Sequence, residues 1–359
     1  MKECTIIPFG PQHPVLPEPL HFDLILKDET IVDAVPQIGY IHRGLELLVE
    51  KREYQDYVFV AERVCGICSF MHGMGYCMAV EDMMKISVPE RALWLRTFWS
   101  ELSRIHSHLL WLGLAADAFG FENLFQASWR AREYILDLIE ATTGGRVIFG
   151  TCQVGGVRRD VTAEQFAQVL SVLESLKKEL GTLSDIFVND ASVKHRLVGA
   201  GKLSAKDAYE LGAVGPMLRA SGVAYDARKR GYAAYGELNF EPITESAGDC
   251  YARVLVRVRE IWQSIDLIKQ VAAKIPAGEL FAKPEGMPMG EAFIRVEQPR
   301  GEAVYYVRGN GTKFLERFRV RTPTFANVVP MIATLKGSTL ADVPNLVLTI
   351  DPCISCTER

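Results

Sequence analysis

Asp351-Pro352-Cys353-Ile354-Ser355-Cys356-Thr357-Glu358-Arg359 carries a Cys-x-x-Cys pair, and Arg63-Val64-Cys65-Gly66-Ile67-Cys68, followed by His72, carries another. Two such pairs offer four thiolates, the donor set of a tetrahedral or distorted soft-metal site. If they share one metal, the fold must bring residue 65 to residue 356. The rest of the chain is then the scaffold that joins its two ends.

Spacing alone leaves three readings open. Structural zinc is one, although zinc ribbons place their pairs about 15–20 residues apart and here most of the chain intervenes. Disulfide chemistry is another, but neither pair follows a clear strand and opens a helix as a thioredoxin-type site does. A catalytic metal is the third, and the neighbouring residues favour it. Pro352 fixes the backbone ahead of Cys353, and Asp351 sets a carboxylate beside that ligand. His72, four residues past Cys68, can direct a ring N–H to a thiolate. A metal that handles protons uses such neighbours, whereas a structural zinc does not need them.

Composition sets the bounds. The chain has 359 residues, 48% hydrophobic and 23% charged, which is ordinary for a globular protein with one large core or two smaller ones. A net charge of −4 with mixed signs leaves no footprint for nucleic acid. No run reaches the roughly 18 apolar residues of a membrane span. Met1-Lys2-Glu3-Cys4-Thr5 leads into a strand rather than a signal peptide. A soluble or peripheral cytoplasmic protein is therefore expected. Cys4, Cys77, Cys152 and Cys250 are scattered and read as small buried apolar residues, not as a disulfide framework.

The pattern predicts an α+β fold that is mostly helical. Strands are expected over 4–9, 20–26 and 31–40, with a turn at Asp28-Glu29. Helical spacing dominates from Arg43 to about Ala272. Pro89-Glu90 opens a long helix through Trp94, Phe98, Leu102, Ile105, Leu109 and Leu112, which Gly120 ends. Glu122–Thr143 follows, closed by Gly144-Gly145. Thr162-Ala163-Glu164-Gln165 reads as a capped start of a helix to about Phe187, and Ala252–Ile275 as another helix. Three short strands over 292–297, 303–308 and 313–319 precede a helix over 325–335. The organisation is one domain: an N-terminal β unit (1–42), a helical core (43–280), a second β unit (281–325) and a metal-binding segment (326–359). Strands near both ends imply that the termini meet on one side of a central bundle.

The two cysteine stretches resemble the nickel-binding motifs of nickel–iron hydrogenase large subunits. The chain is most similar to the energy-converting, membrane-associated branch, and it is also similar to the quinone-site 49 kDa-type subunit of respiratory complex I. Gly10-Pro11-Gln12-His13-Pro14, Gly39-Tyr40-Ile41-His42-Arg43-Gly44-Leu45-Glu46 and Arg219-Ala220-Ser221-Gly222-Val223 carry the rest of the likeness, which spans essentially the whole chain. The resemblance implies a nickel held by Cys65, Cys68, Cys353 and Cys356, with Cys68 and Cys356 bridging to an iron that carries carbon monoxide and cyanide. It implies Glu18 as the proton-transfer carboxyl beside the terminal cysteine, and Arg300 over the open coordination position, paired with Asp351. His72 would hydrogen-bond a thiolate. Asp117 is a looser match to a further carboxylate of that pocket. The reaction implied is interconversion of H₂ with protons and electrons.

Glu46 marks a departure from the family. Glu46 matches a carboxylate that helps hold a second, structural cation (magnesium or iron), but Arg359 stands where relatives carry a histidine ligand. Direct pairing of Glu46 with Arg359 is the alternative. The remaining cysteines are scattered and form no cluster of ligands for an iron–sulfur centre, so a small subunit with the proximal cluster is implied. Further iron–sulfur and ion-translocating membrane subunits, ferredoxin, and a place on the cytoplasmic face of the membrane follow from the same resemblance. His106 and His108 lie two apart, face different sides of their helix and read as packing or capping residues. Trp94, Trp99 and Trp111 read as core. Two other functions stay open: a connecting or quinone-site subunit without nickel, and a zinc-stapled scaffold.

Overall fold

The two periodicities in the sequence separate cleanly in space. A computed structural model of the chain describes residues 4–118 and 120–359. Strands β1 (Thr5–Phe9), β2 (His21–Lys27) and β3 (Thr30–Gln37) form one antiparallel sheet in the order β1-β2-β3. Lys27 pairs with Thr30, so Asp28-Glu29 is a two-residue turn, and Asp28 takes the positive φ of 57° that tight hairpins use. Strand β3 stops at Gln37 rather than Tyr40, because Gly39 at φ 122° turns the chain away.

The helices follow: α1 (Tyr57–Glu62), α2 (Ser69–Met84), α3 (Glu90–Ala118) and α4 (Glu122–Thr143). After a two-strand ladder of β4 (Cys152–Gln153) and β5 (Gly156–Val157) comes α5 (Ala163–Asn189). Its start is a complete capping box: Gln165 N donates to Thr162 Oγ1 at 3.2 Å, and Thr162 N to Gln165 Oε1 at 2.9 Å. Three short helices, α6 (Ala191–Leu197), α7 (Ala205–Glu210) and α8 (Pro216–Arg219), lead to the long α9 (Cys250–Lys274). Helix α3 lies at the centre, packed against α2, α4 and α9, and its Trp94, Trp99 and Trp111 are buried.

Strands β6 (Met289–Gln298), β7 (Gly301–Asn310) and β8 (Leu315–Arg321) form the second sheet, followed by α10 (Pro323–Leu335), α11 (Val343–Thr349) and α12 (Ile354–Thr357). Gln298 pairs with Gly301, which makes Pro299-Arg300 the tip of the β6–β7 hairpin. That tip presses on Gly215: a Cβ on Gly215 would stand 2.3 Å from Gly301 Cα, and one on Gly301 would stand 2.7 Å from Gly215 N. Both residues have positive φ, so glycine is required twice at this crossing. The termini do meet. Ile31 N donates to Ser338 O at 2.9 Å and Gly337 N to Ile31 O at 2.8 Å, which ties β3 to the segment after α10.

Because the middle of α3 is enclosed, its Arg96, Glu101 and Arg104 are buried as well, and they belong to a network of opposite charges that the sequence pattern did not announce. Glu101 faces Arg104 and Arg228, Arg228 pairs with Asp226 at 2.7 Å, and Arg219 bridges Glu260 and Glu297, each at 2.7 Å. All seven side chains are fully or almost fully buried. Breaking one such pair costs about 3–5 kcal/mol, since its partner is left as a bare charge in a dry core. Two expectations are corrected. Cys4 is exposed, at the end of the first sheet, while Cys77, Cys152 and Cys250 are buried as expected. Asp117 is exposed near the end of α3 and belongs to no pocket around the cysteines.

Candidate metal centre

The first cysteine pair lies on the connection from α1 to α2, with Cys68 at the N-cap of α2. The second flanks α12, with Cys353 at its N-cap. Arg43 clamps the two together: its guanidinium donates to Arg63 O at 2.8 Å, Val64 O at 2.9 Å and Ser355 O at 3.0 Å. Further ties fix each pair. His106 Nε2 lies 2.8 Å from Ile67 O, Thr322 Oγ1 donates to Cys356 O at 3.1 Å, and Cys353 N donates to Thr324 Oγ1 at 3.2 Å.

The four sulfurs converge in the interior. Cys65 and Cys353 are 3.3 Å apart, Cys68 and Cys356 are 3.8 Å apart, and Cys65, Cys68 and Cys356 all lie within 4.8 Å of one another. A metal about 2.3 Å from each of two thiolates separates them by about 3.3 Å at a right angle and about 3.8 Å at the tetrahedral angle. Three of the sulfurs therefore fit a shared metal as they stand, and Cys353 adjoins them through Cys65. Charge points the same way. Burial pushes the Cys68 thiol up, but its contacts to Cys356 and Cys65 win and bring it down to about 6, whereas Cys353 and Cys356 are pushed up. Four crowded thiols ionise together only around a cation.

Around the sulfurs stands a polar shell. His72 Nε2 is 3.4 Å from Cys356 Sγ. Gln298 Nε2 donates to Tyr305 Oη at 2.8 Å, and Tyr305 Oη is 3.0 Å from His72 Nδ1. If the tyrosine donates to Nδ1, the ring proton faces the Cys356 sulfur from Nε2, a nitrogen that the Gln298 Nε2 amide also approaches at 3.3 Å. Burial pushes His72 down to about 3, so it acts as a neutral donor. Gln298 Oε1 also lies 3.5 Å from Cys68 Sγ. Neither Gln298 nor Tyr305 was singled out from sequence.

Arg300, at the hairpin tip, reaches Asp351 twice: Nε donates to the backbone O at 2.9 Å and Nη2 to Oδ1 at 2.7 Å. The pair is 2% and 3% exposed, so each charge depends on the other. Asp351 holds a φ of 59°, a strained setting for a side-chain-bearing residue, directly ahead of Pro352 and Cys353. Trp111 Nε1 supports this turn by donating to Leu348 O at 2.7 Å, the carbonyl that also accepts Asp351 N at 2.8 Å.

Glu18 sits against the second pair, where Oε2 accepts from Ile354 N at 2.5 Å and Ser355 N at 3.1 Å. Burial, with the nearby Cys353 charge, pushes its carboxyl up against the pull of those amides. Glu46 does not face the sulfurs. Its carboxylate takes Arg359 Nε at 2.9 Å, Val320 N at 2.8 Å and the Arg319 guanidinium, so its acceptors are filled by protein donors. His106 and His108 are separate: one props the cysteine loop and the other lies 2.8 Å from Glu260.

The sequence matches known proteins throughout. Residues 43–116 match the family described as "Nickel-dependent hydrogenase". Residues 119–287 and 279–359 match "Respiratory-chain NADH dehydrogenase, 49 Kd subunit". The membrane-bound hydrogenase subunit alpha of Pyrococcus furiosus is 39% identical over 98% of this chain and 87% of its own length. A subunit of the F(420)H(2) dehydrogenase of Methanosarcina mazei is 38% identical over 99% of this chain and 97% of its own. Among solved structures, the membrane-bound sulfane sulfur reductase, an archaeal respiratory membrane complex, contains a chain that superposes with a TM-score of 0.94 at 34% identity, covering 100% of this chain and 99% of that one.

Proposed function

The chain belongs to the family that joins nickel-dependent hydrogenases with the 49 kDa subunit of respiratory NADH dehydrogenase, and from that premise we propose that it is the catalytic subunit of a membrane-associated, energy-converting hydrogenase. The observation that carries this reading is the meeting of the two buried cysteine pairs, with Cys65, Cys68 and Cys356 within 4.8 Å of one another and Cys353 3.3 Å from Cys65. A connecting or quinone-site subunit has no need of them.

Cys65, Cys68, Cys353 and Cys356 would hold a nickel, with Cys68 and Cys356 shared with an iron bearing carbon monoxide and cyanide. When bound, that centre supplies the site at which H₂ is split heterolytically. The protein does the rest. Glu18 exchanges protons between the Cys353 side of the centre and solvent, helped by a carboxyl that burial makes less acidic. His72 directs its N–H at Cys356 and draws charge from that sulfur. Arg300 and Asp351 form a fixed polar wall that positions small diatomic ligands. Arg359 occupies the Glu46 carboxylate, the group that the family resemblance would give to a second cation.

No helix among the described residues is long and apolar enough to cross a membrane. The proposed setting is a peripheral subunit on the cytoplasmic face, joined to a small subunit with an iron–sulfur cluster and to ion-translocating membrane subunits, with ferredoxin as electron partner. Metal analysis and infrared spectroscopy of the anaerobically purified complex test this. One nickel and one iron per chain, with bands of metal-bound carbon monoxide and cyanide, are expected. Zinc without those bands in a matured sample would replace the proposal with a structural staple.

A second reading has its own support. The 49 kDa-type match covers residues 119–359, and a component of a dehydrogenase is as similar as a hydrogenase one. A matured complex that lacks any metal at the cysteines would select a connecting subunit instead.

A further inference from the structure

Glu62 ends α1, three residues before Cys65, and its side chain is fully buried, with no close hydrogen-bond partner for either carboxyl oxygen among the described residues. It lies across α2 at Gly73. A Cβ there would stand 2.7 Å from Glu62 Cγ and 3.0 Å from Oε1, so the absent side chain makes the room the carboxyl fills. Gly73 directly follows His72, the residue that contacts Cys356. The carboxyl thus backs the same turn of helix that faces the cysteines.

The charged and titratable groups around it are Arg63 on its own segment, Arg158 beyond β5, Cys77 and Glu81 on α2, Cys152 on β4 and Arg96 on α3. Arg96 is committed to Glu81 through hydrogen bonds of 2.8 and 2.6 Å. Burial pushes the Cys77 and Cys152 thiols up, which keeps them neutral. Arg63 and Arg158 are exposed, and neither reaches a carboxyl oxygen. Phe59, one turn earlier on α1, is exposed under the Arg158 guanidinium at 4.5 Å, so solvent begins one helical turn away. A carboxylate in a dry interior without a close hydrogen bond is strongly disfavoured. Burial raises Glu62 to about 7, opposed by Arg63, the Gly150 amide and Arg158.

We propose that Glu62 is a redox-linked proton site, which holds a proton while the cysteine-bound centre carries an added electron and releases it when that electron leaves. The inference rests on the hydrogenase reading. The step balances simply: the Glu62 O–H bond breaks, the proton passes to water beside Phe59 and Arg158, and the electron passes to the partner's iron–sulfur cluster. The coupling is electrostatic, because a negative carboxylate three residues from Cys65, across α2 at Gly73, and an electron added at the cysteines repel. Glu18 differs from it, since backbone amides already hold the Glu18 carboxylate.

Infrared difference spectra of the complete complex, H₂-reduced minus oxidised, test the proposal in H₂O and D₂O. A protonated-carboxyl stretch should appear on reduction, shift in D₂O, and vanish in Glu62→Gln while metal content holds. The nickel midpoint potential, followed by electron paramagnetic resonance, should lose part of its pH slope through neutrality in that variant. If the variant fails to assemble, Glu62→Asp must move the band. A carboxyl band that survives in Glu62→Gln or stays unmoved in Glu62→Asp, or none in the wild type, overturns the proposal. A wild type without nickel would instead sink the hydrogenase reading. The pH-difference spectrum of that same protein must then still show Glu62 titrating near neutrality, and a carboxylate ionised throughout overturns the proton site on its own.

Discussion

Arg359 Nε donates to Glu46 Oε1 at 2.9 Å, so the segment that carries Cys353 and Cys356 is fastened to the turn that follows the first sheet. Glu46→Ala strands both Arg359 and Arg319 and should cost about 2 kcal/mol, the scale of a hydrogen bond to a charged group. Arg359→Lys keeps the charge but loses the planar fork, so its loss should be smaller. Thermal unfolding and nickel content read the effect together. An alanine variant with unchanged melting and full nickel would show that the clasp does not support the site.

Glu18→Gln keeps the volume and removes the exchangeable proton. Hydrogen–deuterium exchange activity should fall by about a hundredfold or more, the usual worth of a positioned acid–base group, while nickel and iron stay. Glu18→Asp should retain part of the rate. Unchanged exchange in the glutamine variant would take Glu18 out of the proton path.

Cys353→Ser and Cys65→Ser each remove a soft donor that an alcohol cannot replace at neutral pH. Nickel should fall to roughly a tenth of wild type or less, since even groups that only orient a ligand change metal affinity by about tenfold or more. H₂ activity should be lost in parallel. Serine variants that retain nickel and activity would point to a site elsewhere.

Stability should report the Glu62 carboxyl independently of any metal. Its rise from the ordinary 4.5 to about 7 corresponds to about 3 kcal/mol. The native state binds this proton more tightly than the unfolded chain, so the favourable contribution is complete below pH 4.5 and disappears as pH rises through about 7. Glu62→Gln lacks that dependence. The melting temperature of the variant relative to wild type should therefore climb from acid to mildly alkaline pH; a difference that stays flat would mean the carboxyl is not buried as an acid.

Arg219 is the hub of the buried network, reaching Glu260 and Glu297 at 2.7 Å each. Arg219→Met takes the guanidinium away from two buried carboxylates and should destabilise by about 3–5 kcal/mol. Denaturant unfolding would reveal the loss, and a change under about 1 kcal/mol would show that water or protonation neutralises these acids (the worth of an exposed pair).

Much of the site was legible because the ligands are short, distinctive strings. The two cysteine pairs, His72, Arg300 and Asp351 all follow from local motifs, and the long helices follow from apolar spacing. What escaped was set by tertiary placement. Glu101, Arg104, Arg257 and Glu260 look like the solvent faces of amphipathic helices, yet α3 and α9 bury them. Arg43 reads as one basic residue among many, and only the fold shows that its donors span both cysteine pairs. Gln298 and Tyr305 meet His72 because of strand register, which spacing in a single sequence does not reveal.

The cysteines that touch, Cys65 with Cys353 and Cys68 with Cys356, are each 288 positions apart along the chain. Contacts between such distant segments are the last to gain from folding, since a long loop must close first. During synthesis Cys65 and Cys68 emerge long before their partners and present a two-thiol chelate that any soft cation can occupy. The correct ion must therefore arrive late or be guarded until then, which makes timing, as much as affinity, a determinant of what the finished pocket contains.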